Sequence, residues 1–176
     1  MKFAYLGAAV AAAAALAVAA PASAEVYGAL NAGAQIMKFD APLKDANLVT
    51  VGGRFGWKAN KWAGVEGDLF FGVKEDNVYS QPDVKVKIDS AAFIYGVAFL
   101  PASEKFDLIA RVGYGHLAAK VKGGGLSENT NDGAFSYGLG AQYKVDATNG
   151  VRFDYTHYDI KDVSTNGFTA AYVRTF

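Results

Sequence analysis

The sequence predicts an all-β protein, an eight-stranded antiparallel up-and-down β-barrel that crosses a membrane. Beyond residue 24, apolar and polar residues alternate with the period of two that strands impose. Short and long connections mostly alternate between these segments, as in a barrel whose short turns share one rim. The polar phase is rich in glycine and carries charges of both signs in matched numbers. Such residues suit a narrow interior better than a surface in water.

Residues 1–24 are set apart as a signal peptide. Lys2 precedes an apolar run over residues 3–20, and an Ala-x-Ala cleavage site ends at Ala24. We therefore expect export through the Sec pathway, removal of the peptide after Ala24, and one barrel domain over residues 25–176. The alternative of a membrane-spanning anchor is disfavoured by the cleavage site, and a lipoprotein by the absence of cysteine.

Turn-forming stretches divide the remaining chain into eight segments. The segments run through residues 26–37, 48–58, 61–73, 84–99, 106–120, 133–145, 150–159 and 166–176. The short connections are 58–61, 101–105 and 146–149, and the longer or more polar ones are 38–47, 74–83, 121–132 and 159–165. Segments of this length match tilted membrane strands of ~10 residues.

The first four segments differ in how clearly they alternate. Residues 26–37 are bounded by the signal peptide and a polar stretch. Residues 48–58 carry an apolar phase, which is Val49, Val51, Phe55 and Trp57. In residues 61–73 one face carries acidic residues and glycine. The other face is apolar and consists of Val65, Leu69, Phe71 and Val73. Residues 84–99 begin with VKVKI, which places Lys85 and Lys87 on one face near the rim with longer connections.

The last four segments alternate strongly. The apolar phase of 106–120 is Phe106, Leu108, Ala110, Val112 and Tyr114, and that of 133–145 is Phe135, Tyr137, Leu139, Ala141, Tyr143 and Val145. Residues 150–159 oppose Val151, Phe153 and Tyr155 to a polar phase. The final segment ends on Phe176, with Tyr172 on the same face. Strict alternation places Arg174 on that face too, whereas a bulge would turn it inward.

The polar faces predict a network of charges inside the barrel. Its members are Arg54, Glu66, Asp68, Asp107, Arg111, Lys144, Arg152 and Asp154. A soluble barrel also alternates, with its apolar face inside, but its outer face should be dense in long polar side chains. The charges could instead form an ion path or an acid pair. An interior of eight strands is just wide enough for side chains to fill, so we predict a salt-bridge network and no general diffusion pore.

The apolar faces predict a belt of aromatic residues beside the short turns, at the inner membrane interface. Its members are Trp57, Phe99, Phe106, Tyr143 and Phe153.

These features resemble the small outer-membrane β-barrel proteins of the opacity-porin and OmpA/OmpX-like family. The stretches that carry the resemblance are GVEGDLFFG (64–72), ARVGYG (110–115), YGLGAQY (137–143) and VRFDYT (151–156), together with the terminal Phe176. The resemblance implies a Gram-negative outer membrane and insertion by the barrel-assembly machinery, with periplasmic chaperones. In this family the machinery reads the last strand, so Phe176 and Tyr172 are the expected assembly signal.

Catalytic and cofactor chemistry is not predicted. The chain has no cysteine and two histidines, His116 and His157, which alternation places on the lipid-facing side near the outer interface. Lipid A deacylases are similar in size but use a His-x-Ser pair, whereas this chain has HYD at 157–159 and HLA at 116–118. The triple glycine at 123–125 lacks the Lys-Ser/Thr of a phosphate loop. We expect neither an enzyme nor a cofactor or metal site.

Three functions fit the predicted barrel. The first is a structural protein that supports envelope integrity, the second an adhesin that acts through outer loops, and the third a narrow channel for small solutes. The expected partners are outer-membrane lipid and lipopolysaccharide, whose phosphates Lys85 and Lys87 could contact, although both lysines could equally be simply solvated. The zero formal net charge gives no indication of a nucleic-acid partner, and we expect a monomer.

Overall fold

The computed structural model describes residues 24–38, 45–77, 85–123, 126–160 and 163–176. The predicted signal peptide, except for Ala24, lies outside the described residues. The strands are β1 (Glu25–Lys38), β2 (Ala46–Lys58), β3 (Ala63–Gly72), β4 (Asp76–Asn77), β5 (Lys85–Pro101), β6 (Phe106–Gly123), β7 (Leu126–Lys144), β8 (Asn149–Ile160) and β9 (Val163–Thr175). No helix in these ranges is long and apolar enough to cross a membrane.

The long strands close into a single antiparallel barrel. Each pairs with the next in the chain, β3 pairs with β5, and the two-residue β4 lies beside β5. Strand β1 pairs with β9 over twelve positions, from Tyr27 opposite Thr175 to Lys38 opposite Ser164. This pairing leaves neither terminal strand as an open edge. The predicted closed eight-stranded up-and-down barrel is confirmed.

The short connections lie at one end of the barrel, which we call the turn end; the opposite end is the loop end. Side chains fold two of the turns. In one, Asp146 Oδ1 accepts from the backbone N–H groups of Thr148 and Asn149, each at 2.8 Å. Hydrogen bonds from the Asn149 side chain and these N–H groups lower the pKa of Asp146 to about 2. Asn60 Oδ1 accepts in the same way from the N–H groups of Trp62 and Ala63.

At the loop end, strands β6 and β7 are longer than the sequence predicts. Most of the predicted connection 121–132 is strand, because the β6–β7 pairing continues until Gly123 lies opposite Leu126. The pairing of β7 with β8 stops earlier, at Ala134 opposite Ile160. The hydrogen bonds between paired strands join backbone groups and do not depend on the side chains. A strand could therefore not be predicted from a stretch rich in Asn and Gly. The two-residue strand β4 was not predicted from the sequence either.

The interior has two zones. The half nearer the turn end contains charged side chains. The half nearer the loop end is mainly apolar, although Gln35, Thr50 and Thr165 are also buried there. Its apolar members are Met37, Ala46, Leu48, Phe70, Val86, Ile88, Ala91, Phe93, Leu117, Ala119, Ala134 and Tyr158, all at most 8% exposed. The rings of Phe70 and Phe93 stack with centroids 6.1 Å apart, and Tyr158 meets Phe93 edge-on at 5.1 Å. The loop half is therefore packed like the core of a soluble protein.

The outward surface has the reverse order: it is apolar toward the turn end and polar toward the loop end. Along β6 the outward residues are apolar from Phe106 to Tyr114, His116 follows, and Lys120 lies beyond. Ten residues of strand from Phe106 to His116 span about 33 Å, or about 25 Å of bilayer depth at a tilt of ~40°. This apolar band matches the hydrocarbon thickness that an outer-membrane barrel covers.

Candidate functional site: the ionic layer, the outer surface and the last strand

Six of the eight predicted interior charges form one layer across the barrel. Arg54 lies on β2, Glu66 and Asp68 on β3, and Arg111 on β6. Arg152 and Asp154 complete the layer from β8. Each occupies the inward phase of its strand, and each is at most 5% exposed. Three guanidinium groups thus face three carboxylates, so the layer has no net charge when all six are ionised.

Most of the carboxylates bridge two guanidinium groups. Asp68 accepts from Arg54 Nε at 2.6 Å and from Arg111 Nη1 at 2.8 Å. Asp154 accepts from Arg54 Nη1 at 2.9 Å and from Arg152 Nε at 2.8 Å. Glu66 accepts from Arg152 Nη1 at 2.5 Å. These charge-assisted bonds compensate for the cost of removing the ions from water.

Uncharged side chains complete the layer. The Tyr27 hydroxyl donates to Glu66, and Arg111 Nη2 donates to Thr156 Oγ1 at 2.7 Å. The guanidinium carbon of Arg111 lies 4.2 Å from the centroid of the Tyr95 ring, close enough for a cation–π contact. The layer therefore fills the cross-section of the barrel with side chains held in place on several strands.

The other two predicted charges form a separate group at the turn end. Lys144 Nζ lies 3.1 Å from Asp107 Oδ2, and Lys58 Nζ lies 3.5 Å from the same oxygen. Lys58 also lies 3.7 Å from Glu25. Lys58 was not predicted as an interior charge, because it stands where the segment 48–58 meets the connection 58–61. Its shared inward phase with Arg54 was the available signal.

The prediction of the aromatic belt is wrong for one member, Phe99. Phe99 lies inside the barrel, 2% exposed, edge-on to Tyr27 and with Lys58 Nζ 4.4 Å from its ring centroid. Residues 91–99 are apolar in both phases, so alternation could not decide which face is inward. A register shift between Ile88 and Ser90 moves the inward phase of β5 from even to odd positions.

The remaining members of the belt face outward. Phe106, Tyr143 and Phe153 are 36%, 46% and 63% exposed, and Trp57 is half-buried in the outward phase of β2. A second aromatic belt, which the sequence analysis did not identify, lies toward the loop end; its members are Tyr114, Phe135, Tyr137, Tyr155 and Phe168. Their shared outward phase was the signal for it.

The last strand keeps strict alternation to its end. Val173 is 2% exposed and faces inward, whereas Tyr172 and Phe176 are 48% and 77% exposed on the outward face. Arg174 is exposed on that same face, so no bulge turns it inward. The Phe176 N–H donates to the Val26 carbonyl at 2.9 Å, which holds the C-terminal residue against the first strand.

Lysines of two strands meet near the loop end. Lys85 lies opposite Lys122 in the β5–β6 register, and Lys87 lies opposite Lys120. Lys85 is exposed, and Lys87 and Lys120 are half-buried in the outward phase. Like charges directly opposite on a sheet repel each other. We call these four register positions the lysine patch; Lys85 and Lys87 are the two that were singled out from the sequence.

The two histidines lie on different strands of the outward surface, His116 on β6 and His157 on β8. The His116 ring lies 6.1 Å from that of Tyr114. His157 Nδ1 lies 2.8 Å from Asn166 Oδ1. Within the described ranges, no group of three or more His, Cys, Asp or Glu side chains is placed to hold a metal ion.

Comparison with known proteins agrees with this architecture. A family model described as "Outer membrane protein beta-barrel domain" matches residues 7–176. Neisserial surface protein A is similar in structure, with a TM-score of 0.66 and 13% identity over 88% of this chain and 99% of that chain. Ail, the attachment invasion locus protein of Yersinia pestis, has a TM-score of 0.62 and 17% identity over the same shares.

The N-terminal β-barrel domain of Pseudomonas aeruginosa OprF is a further structural neighbour, with a TM-score of 0.54 and 9% identity over 82% of this chain and 96% of that chain. No curated protein sequence matches the chain. At these identities the structural neighbours show the fold, and the family model carries the assignment. The chain belongs to the outer-membrane protein β-barrel domain family.

Proposed function

We propose that this outer-membrane protein is a structural component of the envelope, with a lumen that its own side chains close. The ionic layer carries this proposal, because six buried side chains from four strands cross-link the barrel wall. The apolar packing of the loop half closes the lumen a second time. A narrow solute channel would need both zones to open.

The longest predicted outer loop is also lost to strand pairing between β6 and β7. An adhesin that acts through flexible loops would therefore have less loop to present than the sequence suggests, and this favours the structural role.

The closed lumen predicts that the refolded protein does not conduct ions in planar lipid bilayers. Neither Arg54→Ala nor Phe93→Ala alone should open it, since each removes side chains from only one zone. The Arg54→Ala/Phe93→Ala double variant, which removes a side chain from each zone, provides the comparison with the two single variants. Stable unitary currents from the unmodified protein would contradict the proposal and favour the channel.

The lysine patch supports a contact with phosphate groups of lipopolysaccharide in the outer leaflet. It lies beyond the apolar band, where headgroups would lie if the loop end faces outward, and each lysine near a charged surface contributes about 1 kcal/mol. This contact would tie the protein to the outer leaflet, as a structural role requires.

In nanodiscs that contain bisphosphorylated lipid A, the K85Q/K87Q variant should lose most of the increase in melting temperature that lipid A gives the unmodified protein. The measurement is the temperature at which folded and unfolded bands exchange on a gel, and raised salt should have the same effect. The matched control is K61Q/K105Q, which removes two exposed turn-end lysines and should keep the increase. Equal behaviour of both variants would argue against a phosphate contact.

We further infer that the protein is exported through the Sec pathway with cleavage after Ala24, and that the barrel-assembly machinery inserts it as a monomer with the turn end in the periplasm. The outward Phe176 and Tyr172 support their role as assembly signal, because both remain accessible on the last strand. The intact mass of the protein from outer-membrane fractions tests the cleavage after Ala24, since it should correspond to a chain that begins at Glu25.

A further inference from the structure

Strand β7 projects beyond strand β8 at the loop end. The pairing of β6 with β7 continues to Leu126, whereas the pairing of β7 with β8 ends at Ala134. On the other side of β6, the pairing with β5 reaches Lys122. Strands β5, β6 and β7 therefore form a three-stranded tongue, and residues 126–133 of β7 are its edge. Among the described residues, no strand pairs with this edge.

The tongue rises beyond the apolar band. Phe135 and Tyr137, two members of the second aromatic belt, lie on β7 on the turn-end side of the edge. From Gly133 to Leu126 the strand spans about 24 Å, or about 18 Å of height at a tilt of ~40°. In the proposed orientation the edge therefore lies in the water outside the membrane, where Thr130 and Asn131 are exposed.

Alternate residues of β7 direct their backbone groups to opposite sides. Near the turn end, the Lys144 N–H donates to Lys105 on the β6 side, and the Val145 N–H donates to Asn149 on the β8 side, each at 2.8 Å. The β6–β7 register then runs without a shift, so even-numbered residues of β7 bond to β6 and odd-numbered residues face the β8 side. On the edge, three odd-numbered residues direct an N–H and a C=O away from β6, and they are Ser127, Asn129 and Asn131.

These backbone groups select a polypeptide as the ligand. N–H and C=O groups that alternate along an extended strand are complementary to a second extended strand, whereas an acyl chain offers them no partner. Edges that are protected against such pairing carry proline, lysine or a bulge. Residues 126–133 contain neither proline nor lysine and pair with β6 without a bulge.

A second copy of the chain in the same membrane does not fit the edge. Two copies that share this edge would be related by a twofold axis along the membrane normal. Strands that tilt by ~40° would then cross at about 80°, whereas neighbouring strands of a sheet cross at about 20–25°. The occupant is therefore a segment of another protein that approaches from the water.

The charges around the edge indicate the composition of this segment. Asp132 lies on the face of the tongue that continues the inward phase, and Glu128 stands at a register position of the same parity. Asp159 of β8, opposite Phe135 at the lower end of the edge, is also acidic. The lysine patch belongs to the other face and to β5 and β6, so β7 separates it from an added strand. Opposite charges on directly paired residues attract, which favours basic residues at alternate positions of the segment.

We propose that the edge of β7 binds an extended segment of an extracellular protein by adding it to the tongue as a further strand. Basic residues at alternate positions of the segment lie beside the acidic positions of β7. A segment of about six residues is long enough to reach Ser127, Asn129 and Asn131 together. This binding function goes beyond the envelope role, and it needs no change in the ionic layer or the lumen.

Amide hydrogen exchange measured by NMR tests the proposal on the full barrel in phosphatidylcholine nanodiscs. In the free protein, the amides of Asn129 and Asn131 should exchange at least about tenfold faster than those of Thr130 and Asp132, which bond to β6. The probe is a synthetic heptapeptide that alternates threonine and lysine. It should slow Asn129 and Asn131 by at least about tenfold and leave Thr130 and Asp132 unchanged. The same peptide with glutamate in place of lysine should give much less slowing.

Two controls separate backbone pairing from simple attraction between charges. The basic peptide methylated on all its backbone nitrogens keeps its charge but cannot donate to the edge, and it should slow neither amide. Asn131→Pro removes one N–H of the edge at a position where a strand tolerates proline, and it should abolish the slowing at Asn129. Asn131→Thr keeps the N–H and should keep the slowing. Both variants should melt at the same temperature, because residue 131 does not bond to β6.

Four outcomes would overturn the proposal. They are edge amides that already exchange as slowly as Thr130 in the free protein, slowing by the methylated peptide, equal slowing by the basic and acidic peptides, and slowing at Asn129 that Asn131→Pro leaves unchanged. The first of these would show that the chain covers its own edge. If Asn131→Pro lowers the melting temperature, the methylated peptide decides the question on the unmodified protein.

Discussion

Replacing Arg152 with methionine is expected to destabilise the barrel by about 3–5 kcal/mol, the usual cost of breaking a buried ion pair from one side. Arg152 is fully buried and donates to both Glu66 and Asp154. Methionine has a similar length but no charge, so Glu66 would lose its closest cation while remaining out of water. The free energy of unfolding in urea, followed by tryptophan fluorescence in short-chain lipid vesicles, measures the loss.

Two further variants show whether the loss comes from an uncompensated charge. Lys144→Met removes a cation from the turn-end group, where its side chain is 36% exposed, and should cost at most about 1 kcal/mol. Adding Glu66→Gln to Arg152→Met should restore part of the stability, since it returns the layer to equal numbers of positive and negative charges. A cost below about 1 kcal/mol for Arg152→Met would show that water reaches the layer.

Gly115→Val should destabilise the barrel by about 3 kcal/mol, at the upper end of the range for overpacking a filled interior. A Cβ at Gly115 would lie 2.6 Å from Cδ1 and Cγ of the Phe93 ring and closer still to the Ala92 carbonyl oxygen. Phe93 cannot move aside, because it packs against Phe70 and Tyr158. Loss of the heat-resistant folded band at lower temperature is the measurement.

The matched control is Gly67→Val on β3. Gly67 is exposed, and a Cβ there would meet no heavy atom within 4 Å, so the change should stay within about 0.5 kcal/mol. If both valine variants behaved alike, general loss of backbone flexibility would be the cause. A difference between them assigns the effect to the contacts that the new side chain makes with the Phe93 ring and the Ala92 carbonyl oxygen.

The same contacts explain why the inward phase is rich in glycine. Aromatic rings occupy the space beside glycines directly opposite in the register. The pairs are Tyr27 with Gly56, Tyr95 with Gly113 and Phe93 with Gly115. From the sequence, glycine indicated only a narrow interior, which is correct. That the space belongs to rings of the neighbouring strand depends on register, which the sequence does not display.

Alternation was sufficient to predict the strands and the closed barrel, because a period of two survives in most segments. It failed where both phases are apolar, and Phe99 on β5 is the example. It also failed where pairing continues through polar residues, as beyond Asp132 on β7. Both failures have the same origin, since backbone pairing and a local bulge decide the face rather than side-chain character.

The charged layer was predictable as a set but not as pairs. Arg152 and Glu66 are 86 residues apart in the chain, and their contact depends on how far successive strands are staggered around the barrel. Lys58 was missed because, as the last residue of the segment 48–58, it was counted with the connection 58–61 and left out of the inward charges. The contact between His157 and Asn166 was equally unpredictable, because it depends on the β8–β9 register.

The lysine patch also bears on the time course of insertion. If the barrel enters from the periplasm, Lys85, Lys87, Lys120 and Lys122 must all cross the hydrocarbon before the β5–β6 hairpin reaches its final depth. At about 2.5–3.5 kcal/mol for each charge at the bilayer centre, the four together raise the barrier by about 10–14 kcal/mol, which slows the passage by a factor of about 10⁷ to 10¹⁰. The same barrier slows the movement of an inserted barrel back toward the periplasm. Unassisted insertion would be slow, and a barrel that has crossed would be kinetically trapped in place.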